Sequence, residues 1–131
     1  MNSFGCSEAF LTLATQQLGE IVAFYTALLE SGPQTYIPNV YAEFLLPGLK
    51  LGIFQPRLDN DIEFAAANSG AMSLCFEVDN LDGAIAHLTA LGYAPPDPPM
   101  TASHGREVYA YDPDGNRLIL HQGGEPGAER P

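Results

Sequence analysis

The stretch at residues 109–122, YAYDPDGNRLILHQ, combines a tight turn with a strand pattern on each side. The turn lies at residues 112–115, DPDG, where proline restricts φ, aspartate can bond to nearby backbone and glycine tolerates positive φ. After the turn, Leu118 and Leu120 alternate with residues of different character, which is the period of a strand with two unlike faces. The stretch therefore predicts a β-hairpin near the end of the chain.

The same order of elements is predicted twice: one strand, one helix and three further strands. In the first half, the strands are predicted at 9–15, 34–37, 40–46 and 49–55, and the amphipathic helix at 17–31. In the second half, a strand at 71–78 precedes a helix capped by Asp79 or Asn80, and strands follow at 106–111 and 116–121. The proline-rich segment 93–100 is predicted as an edge strand or extended loop, and 101–105 as a loop.

Matching positions indicate that the two halves are an internal repeat. Phe10 and Ser73 occupy equivalent places in the two opening strands, 63 residues apart. A duplicated βαβββ unit predicts an α+β fold with two four-stranded mixed sheets, each carrying its helix on one face, and the opposite faces enclosing a cleft. We expect one domain at 9–122, with modules at about 9–56 and 71–122, and a disordered tail at 123–131.

Composition restricts the classes of partner. Five basic and sixteen acidic residues give a net charge of −11, which disfavours nucleic acid and anionic membranes and tolerates a neutral or cationic small molecule. No apolar run has the length of a membrane span, and the N-terminus lacks the pattern of a signal peptide, so a cytoplasmic location is expected. Cys6 and Cys75 lack CxxC spacing, and no disulfide framework is expected.

Several motifs resemble the vicinal oxygen chelate superfamily, which includes glyoxalase I, bleomycin-resistance proteins, fosfomycin-resistance proteins and extradiol dioxygenases. They are Phe24-Tyr25, Val78-Asp79-Asn80, and the run at 105–109 that continues into 112–117. The resemblance covers about residues 9–122. It implies the duplicated βαβββ fold and a homodimer.

The resemblance also assigns the four metal-ligand positions of metal-dependent members. In this sequence, the matching positions are Phe10, Gly52, Ser73 and Ile119, where metal-dependent members of the family have His, Glu or Gln. None of the four can supply an imidazole or carboxylate. We therefore expect no metal at these positions and no cofactor, and the metal-dependent mechanism of glyoxalase I is not expected.

The predicted ligand site consists of residues expected to face the cleft. Phe10 and Phe54 are expected to stack on the ligand, whereas Glu77 and His121 are expected to make polar contacts. The full predicted set is Phe10, Thr12, Phe54, Ser73, Cys75, Glu77, Tyr109, Arg117 and His121.

No catalytic residue is assigned from the sequence, because no nucleophile–base pair occurs at motif spacing. His87 lies off the apolar stripe of its helix and is predicted to be solvated. His104 is predicted to be a flexible surface residue in a loop that can border the cleft. Cys75 is predicted to be a half-buried thiol without special reactivity.

Three functions remain open at this point. The first is a metal-independent protein that binds and sequesters a small amphipathic or cationic molecule, similar to bleomycin-resistance proteins. The second is a glyoxalase-type lyase or isomerase that uses a displaced metal or acid–base chemistry through Glu77 and His121. The third is an interaction module whose cleft is filled by its own side chains, such as Phe10 and Ile119.

Overall fold

A computed structural model describes residues 4–65 and 70–124 of the chain. The chain divides into two compact units, Met1–Ala65 and Ala66–Pro131, called here the first and the second unit. Each unit contains one strand, one helix and three further strands, as the repeat predicted. Most of the predicted tail, from residue 125 onward, lies outside the described residues. No helix in the described residues has the length and apolarity that a bilayer crossing requires.

The first unit forms a mixed four-stranded sheet with one helix. Its elements are β1 (Leu11–Ala14), α1 (Leu18–Leu29), β2 (Thr35–Ile37), β3 (Tyr41–Leu46) and β4 (Leu49–Phe54), followed by a short 3-10 helix (Asp61–Phe64). The strand order is β1-β4-β3-β2, with β1 parallel to β4 and the other pairs antiparallel. Both the parallel pair and the β3–β4 hairpin follow the pattern predicted for a βαβββ unit.

The core of the first unit lies between α1 and one face of its sheet. The apolar residues of α1 recur at three- and four-residue spacing, so they fall on one side of the helix. Ile21 and Tyr25 are fully buried, as are Leu51 and Phe44 of the sheet, and the Tyr25 and Phe44 ring centroids are 6.2 Å apart. Burial of this face leaves the opposite face of the sheet available for polar side chains.

The second unit repeats this arrangement. Its elements are β5 (Leu74–Glu77), α2 (Leu81–Ala90), β6 (Met100–Ala102), β7 (Gly105–Tyr111) and β8 (Arg117–Gly123), in the sheet order β5-β8-β7-β6. The strand at 100–102 corrects the predicted loop at 101–105. Four prolines at 95–99 have no N–H to donate to a sheet, so pairing begins only after them. Gly123 belongs to β8 and not to the predicted tail.

Alternation along the strands separates two faces of the second sheet. Leu74, Val108, Leu118 and Leu120 are buried, together with Leu81 and Leu88 of α2. The helix begins at a cap in which the Asn80 side chain accepts a hydrogen bond from the Gly83 N–H at 3.1 Å. The Leu81 N–H donates to Gln122 Oε1 at 2.7 Å, which ties the start of α2 to β8. Residues of the opposite parity on β5, β7 and β8 therefore point away from α2.

The DPDG turn sets the register between β7 and β8. Asp112 is only 3% exposed, and its Oδ1 accepts bonds from the N–H groups of Asp114 and Asn116, both at 2.9 Å. Its Oδ2 accepts a bond from Asn116 Nδ2 at 2.8 Å. With the turn held in this way, Tyr111 pairs with Arg117. The same register continues along the hairpin and places Glu107 opposite His121.

Candidate functional site

The candidate site lies on the face of the second sheet that points away from α2. Glu77 of β5 is paired with His121 of β8, and His121 is paired with Glu107 of β7. Because paired residues on neighbouring strands project from the same face, their side chains lie side by side. Cys75 and Ile119 form the next pair on this face.

Glu77 orients the His121 ring. Glu77 Oε1 lies 2.7 Å from His121 Nδ1, and Glu77 Oε2 accepts the Gly123 N–H at 2.9 Å. A carboxylate is an acceptor only, so this contact places a proton on His121 Nδ1. In the neutral imidazole, Nε2 is then an acceptor. The carboxylate thus selects one tautomer and directs the Nε2 lone pair away from β5.

His104, in the turn between β6 and β7, lies next to the Nε2 lone pair of His121. Its Nδ1 lies 3.0 Å from His121 Nε2, and the two rings are stacked with centroids 5.1 Å apart. The turn depends on Gly105, which has φ of 132°. A Cβ at this position would lie 2.1 Å from the Gln122 carbonyl oxygen, so only glycine allows the turn to approach β8 this closely.

A cavity of about 420 Å³ opens beside these side chains. Its walls combine two imidazoles and two carboxylates with a thiol and apolar groups, contributed by Cys75, Phe76, Glu77, His104, Glu107, Ile119 and His121. One ligand atom from each of His104, Glu107 and His121 lies within 4.8 Å of the others. The arrangement can hold a small molecule, transfer a proton or hold a metal ion.

A polar cluster also lies on the first sheet, on the face away from α1. Tyr41 Oη donates to Glu43 Oε1 at 2.9 Å, and Lys50 Nζ lies 2.9 Å from Glu8 Oε2. Burial, followed by the bond to Glu43, raises the pKa of Tyr41 above its ordinary value. The hydrogen bond to Glu8 is the main cause that raises the pKa of Lys50.

A mixed four-stranded sheet with one helix, present twice in the order βαβββ, places the chain in a known class of α+β folds. The sequence model of the Glyoxalase/Bleomycin resistance protein/Dioxygenase superfamily matches residues 9–120, and the chain belongs to this superfamily. This confirms the resemblance stated from the motifs. Among curated protein sequences, none matches the chain.

Solved structures with the same fold include protein ATC0852 from Agrobacterium tumefaciens, with 27% sequence identity and a TM-score of 0.74 over 92% of this chain and 100% of that one. The fosfomycin resistance protein FosX from Listeria monocytogenes is 22% identical with a TM-score of 0.72, covering 95% of this chain and 94% of its own. A glyoxalase/bleomycin resistance protein from Catenulispora acidiphila is 23% identical with a TM-score of 0.67, covering 89% of this chain and 98% of its own. The last two likenesses show the fold.

The positions that the resemblance assigns to the family's metal do not fit a cation in either unit. In the first unit, Phe10 is apolar and a Cβ at Gly52 would lie 3.0 Å from Tyr41 Oη. In the second unit, the Ser73 hydroxyl accepts a bond from the Arg117 guanidinium at 3.2 Å, and a permanent positive charge there repels a metal ion. Ile119 has no donor atom.

The predicted site residues fall into two groups. Phe10, Thr12 and Phe54 lie in the first unit, where Phe10 is 47% exposed with Lys50 Nζ 5.2 Å from its ring centroid, and Phe54 packs edge-on against Phe64 at 5.0 Å. Six lie in the second unit on the face described above: Ser73, Cys75, Glu77, Tyr109, Arg117 and His121. Of these six, Cys75, Glu77 and His121 line the cavity, and the Cys75 thiol is exposed rather than half-buried as predicted. The common cleft for both groups stays a prediction.

Two residues of the site, His104 and Glu107, were not in the predicted set. A signal for Glu107 was present, because the DPDG turn and the strand period together imply its pairing with His121. His104 had no comparable signal. Its position depends on the short strand β6 and on the Gly105 turn, whereas the sequence indicated a flexible loop.

Proposed function

We propose that this superfamily member binds a small molecule in the cavity of the second unit, without a metal at the four family positions. The observation that carries this proposal is the convergence of Glu77, His104, Glu107 and His121 around a cavity of about 420 Å³. A concave site with a few convergent polar groups beside apolar ones is typical of ligand sites.

The lining favours an amphipathic or cationic ligand. The carboxylates of Glu77 and Glu107 attract positive charge or hydrogen-bond donors, while Ile119 provides apolar contact. The net charge of −11 raises the local concentration of cations further. The resemblance to bleomycin-resistance proteins implies a homodimer, so we propose that a homodimer of this chain sequesters such a molecule.

The test is a ligand screen by thermal shift, followed by calorimetry on the compounds that stabilise the protein. Glu107→Gln removes a charge from the cavity wall and is expected to lower affinity for a cationic ligand by about 10-fold or more, since a hydrogen bond to a charged group contributes about 1.5–3 kcal/mol. Glu63→Gln, in the exposed 3-10 helix of the first unit, is the matched control and should leave affinity unchanged. Equal affinity in both variants would contradict this location of the site.

A second candidate function is acid–base catalysis, and the Glu77–His121–His104 chain of contacts favours it. Glu77 holds His121 in the tautomer whose Nε2 can accept a proton from a bound substrate, and the His121 imidazolium so formed is stabilised by the Glu77 carboxylate at 2.7 Å. This is the arrangement required by a lyase or isomerase that removes a proton next to a carbonyl group. His104 must then move from its 3.0 Å contact to admit the substrate.

The two candidates differ in what happens to the ligand. If the protein is an enzyme, a bound compound is converted, and Glu77→Gln lowers turnover by about 100-fold or more while binding changes little. If it is a sequestering protein, the compound is recovered unchanged. Mass spectrometry of the compound after incubation with catalytic amounts of protein separates the two outcomes.

A further inference from the structure

We propose that His104, Glu107 and His121 form a binding site for a divalent transition-metal ion, displaced from the four family positions. These residues lie on the turn before β7, on β7 and on β8 of the second unit, and one ligand atom of each lies within 4.8 Å of the others. Two imidazoles and one carboxylate suit Zn²⁺ and its first-row neighbours. This inference goes beyond the proposed ligand site, because the metal requires no organic ligand to bind.

The distance between the two imidazoles is that of ligands on a common ion. His104 Nδ1 and His121 Nε2 are 3.0 Å apart. Two nitrogens that each bind one ion at about 2.1 Å are about 3.0 Å apart in a cis octahedral pair and about 3.4 Å apart in a tetrahedral site. The separation of the two nitrogens is within about 0.4 Å of either value. An ion would replace the proton of the present nitrogen–nitrogen contact, and both rings would have to turn so that their lone pairs converge on it.

Glu77 acts as a positioning residue for this site. It accepts the Nδ1 proton of His121 at 2.7 Å and therefore leaves Nε2 as the metal-binding atom. Its second oxygen is engaged by the Gly123 N–H at 2.9 Å, which holds the carboxylate in place. A carboxylate on the far nitrogen of a ligating histidine is the usual support of such ligands. Glu77 thus supports a ligand, whereas the sequence had indicated Glu77 itself as a candidate ligand.

The charges around the cluster also favour a dication. The Glu107 and Glu77 carboxylates carry two negative charges beside two imidazoles. The arginines in the described part of the second unit are engaged elsewhere: Arg106 lies 3.1 Å from Asp82, and Arg117 bonds to Ser73 and Gly70. A divalent ion would therefore compensate the local negative charge.

Three protein ligands would leave further coordination positions on the ion, and all three residues line the cavity. A site with three ligands and open positions can accept an oxygen or nitrogen atom of a small molecule, unlike a closed structural site. The His104–Glu107–His121 site would therefore give the cavity a point of attachment for a donor group of the ligand.

The experiment uses untagged, chelator-treated full-length protein and Zn²⁺ alone. Calorimetry is expected to show one ion per chain. His121→Asn and Glu107→Gln are expected to weaken binding by more than about 100-fold, and Glu77→Gln by about 10–100-fold, the range for residues that support a ligand. His87→Asn is the matched control, because it removes the remaining histidine, in α2, and should leave binding unchanged.

A second measurement on the wild-type protein does not depend on the folding of variants. Nitrogen-15 spectra of the histidine rings, recorded with and without Zn²⁺, should show shifts for His104 and His121 and none for His87. Absence of stoichiometric binding, or shifts confined to His87, would overturn the metal site. Failure of this test leaves ligand binding to the cavity intact, because the ligand screen can be repeated on chelator-treated protein without added Zn²⁺.

Discussion

The Asp112→Ala substitution tests the turn that positions the whole site. It removes a buried carboxylate that accepts two backbone N–H bonds and one bond from Asn116 Nδ2. Hydrogen bonds to charged groups contribute about 1.5–3 kcal/mol each, but the freed donors of half-buried Asp114 and Asn116 regain some hydration. We take about 1–1.3 kcal/mol for each bond and expect a loss of about 3–4 kcal/mol of unfolding free energy.

The assay is urea unfolding followed by circular dichroism, with a thermal midpoint shift of roughly 12–16 °C as a second readout. Asp97→Ala, an exposed aspartate in the proline-rich segment, is the control and should stay within about 0.5 kcal/mol of wild type. Asp112→Asn keeps an acceptor for the two backbone N–H groups, and a flip of the Asn116 amide replaces the third bond by a neutral one, so this variant should lose at least about 1 kcal/mol less than Asp112→Ala. A loss below about 1 kcal/mol for Asp112→Ala, or an equal loss in Asp112→Asn, would refute the reasoning.

Two further predictions concern the first unit. In an ultraviolet titration, the Tyr41 phenol should titrate above its ordinary pKa of 10.0, and this titration step should be absent in Tyr41→Phe. Glu43→Gln should lower the raised pKa of Tyr41 only in part, because burial is the larger cause of the shift. Since the unfolded chain loses this proton first, the stability that Tyr41 contributes is present below pH 10.0 and is lost as the pH rises through its raised folded-state pKa. Gly52→Glu, at a family metal position, should cost about 1–3 kcal/mol by displacing the Tyr41 ring and should add no metal site. A variant as stable as wild type would show that Tyr41 does not cover this position.

Much of the fold could be predicted because its signals are local. The DPDG turn, the strand period of residues 117–121 and the apolar spacing of α1 each lie within a few consecutive residues. The buried and exposed parities of β5 also followed from alternation, so Cys75 and Glu77 were assigned to the right face. The error at β6 arose because prolines obscure a strand of only three residues, Met100–Ala102.

The sequence by itself determined the duplicated βαβββ order, the superfamily and the lack of ligand atoms at Phe10, Gly52 and Ile119. A side chain without a donor atom cannot hold a metal in any conformation, so that conclusion needed no coordinates. The contact of His104 with His121 was decided only by the tertiary structure. It requires the β7–β8 register, the pairing of β6 with β7, and a glycine at 105 whose φ of 132° brings the turn against β8. His104 and His121 are 17 positions apart in the sequence, and their contact depends on the pairing of three strands. No local pattern of residues predicts such a contact.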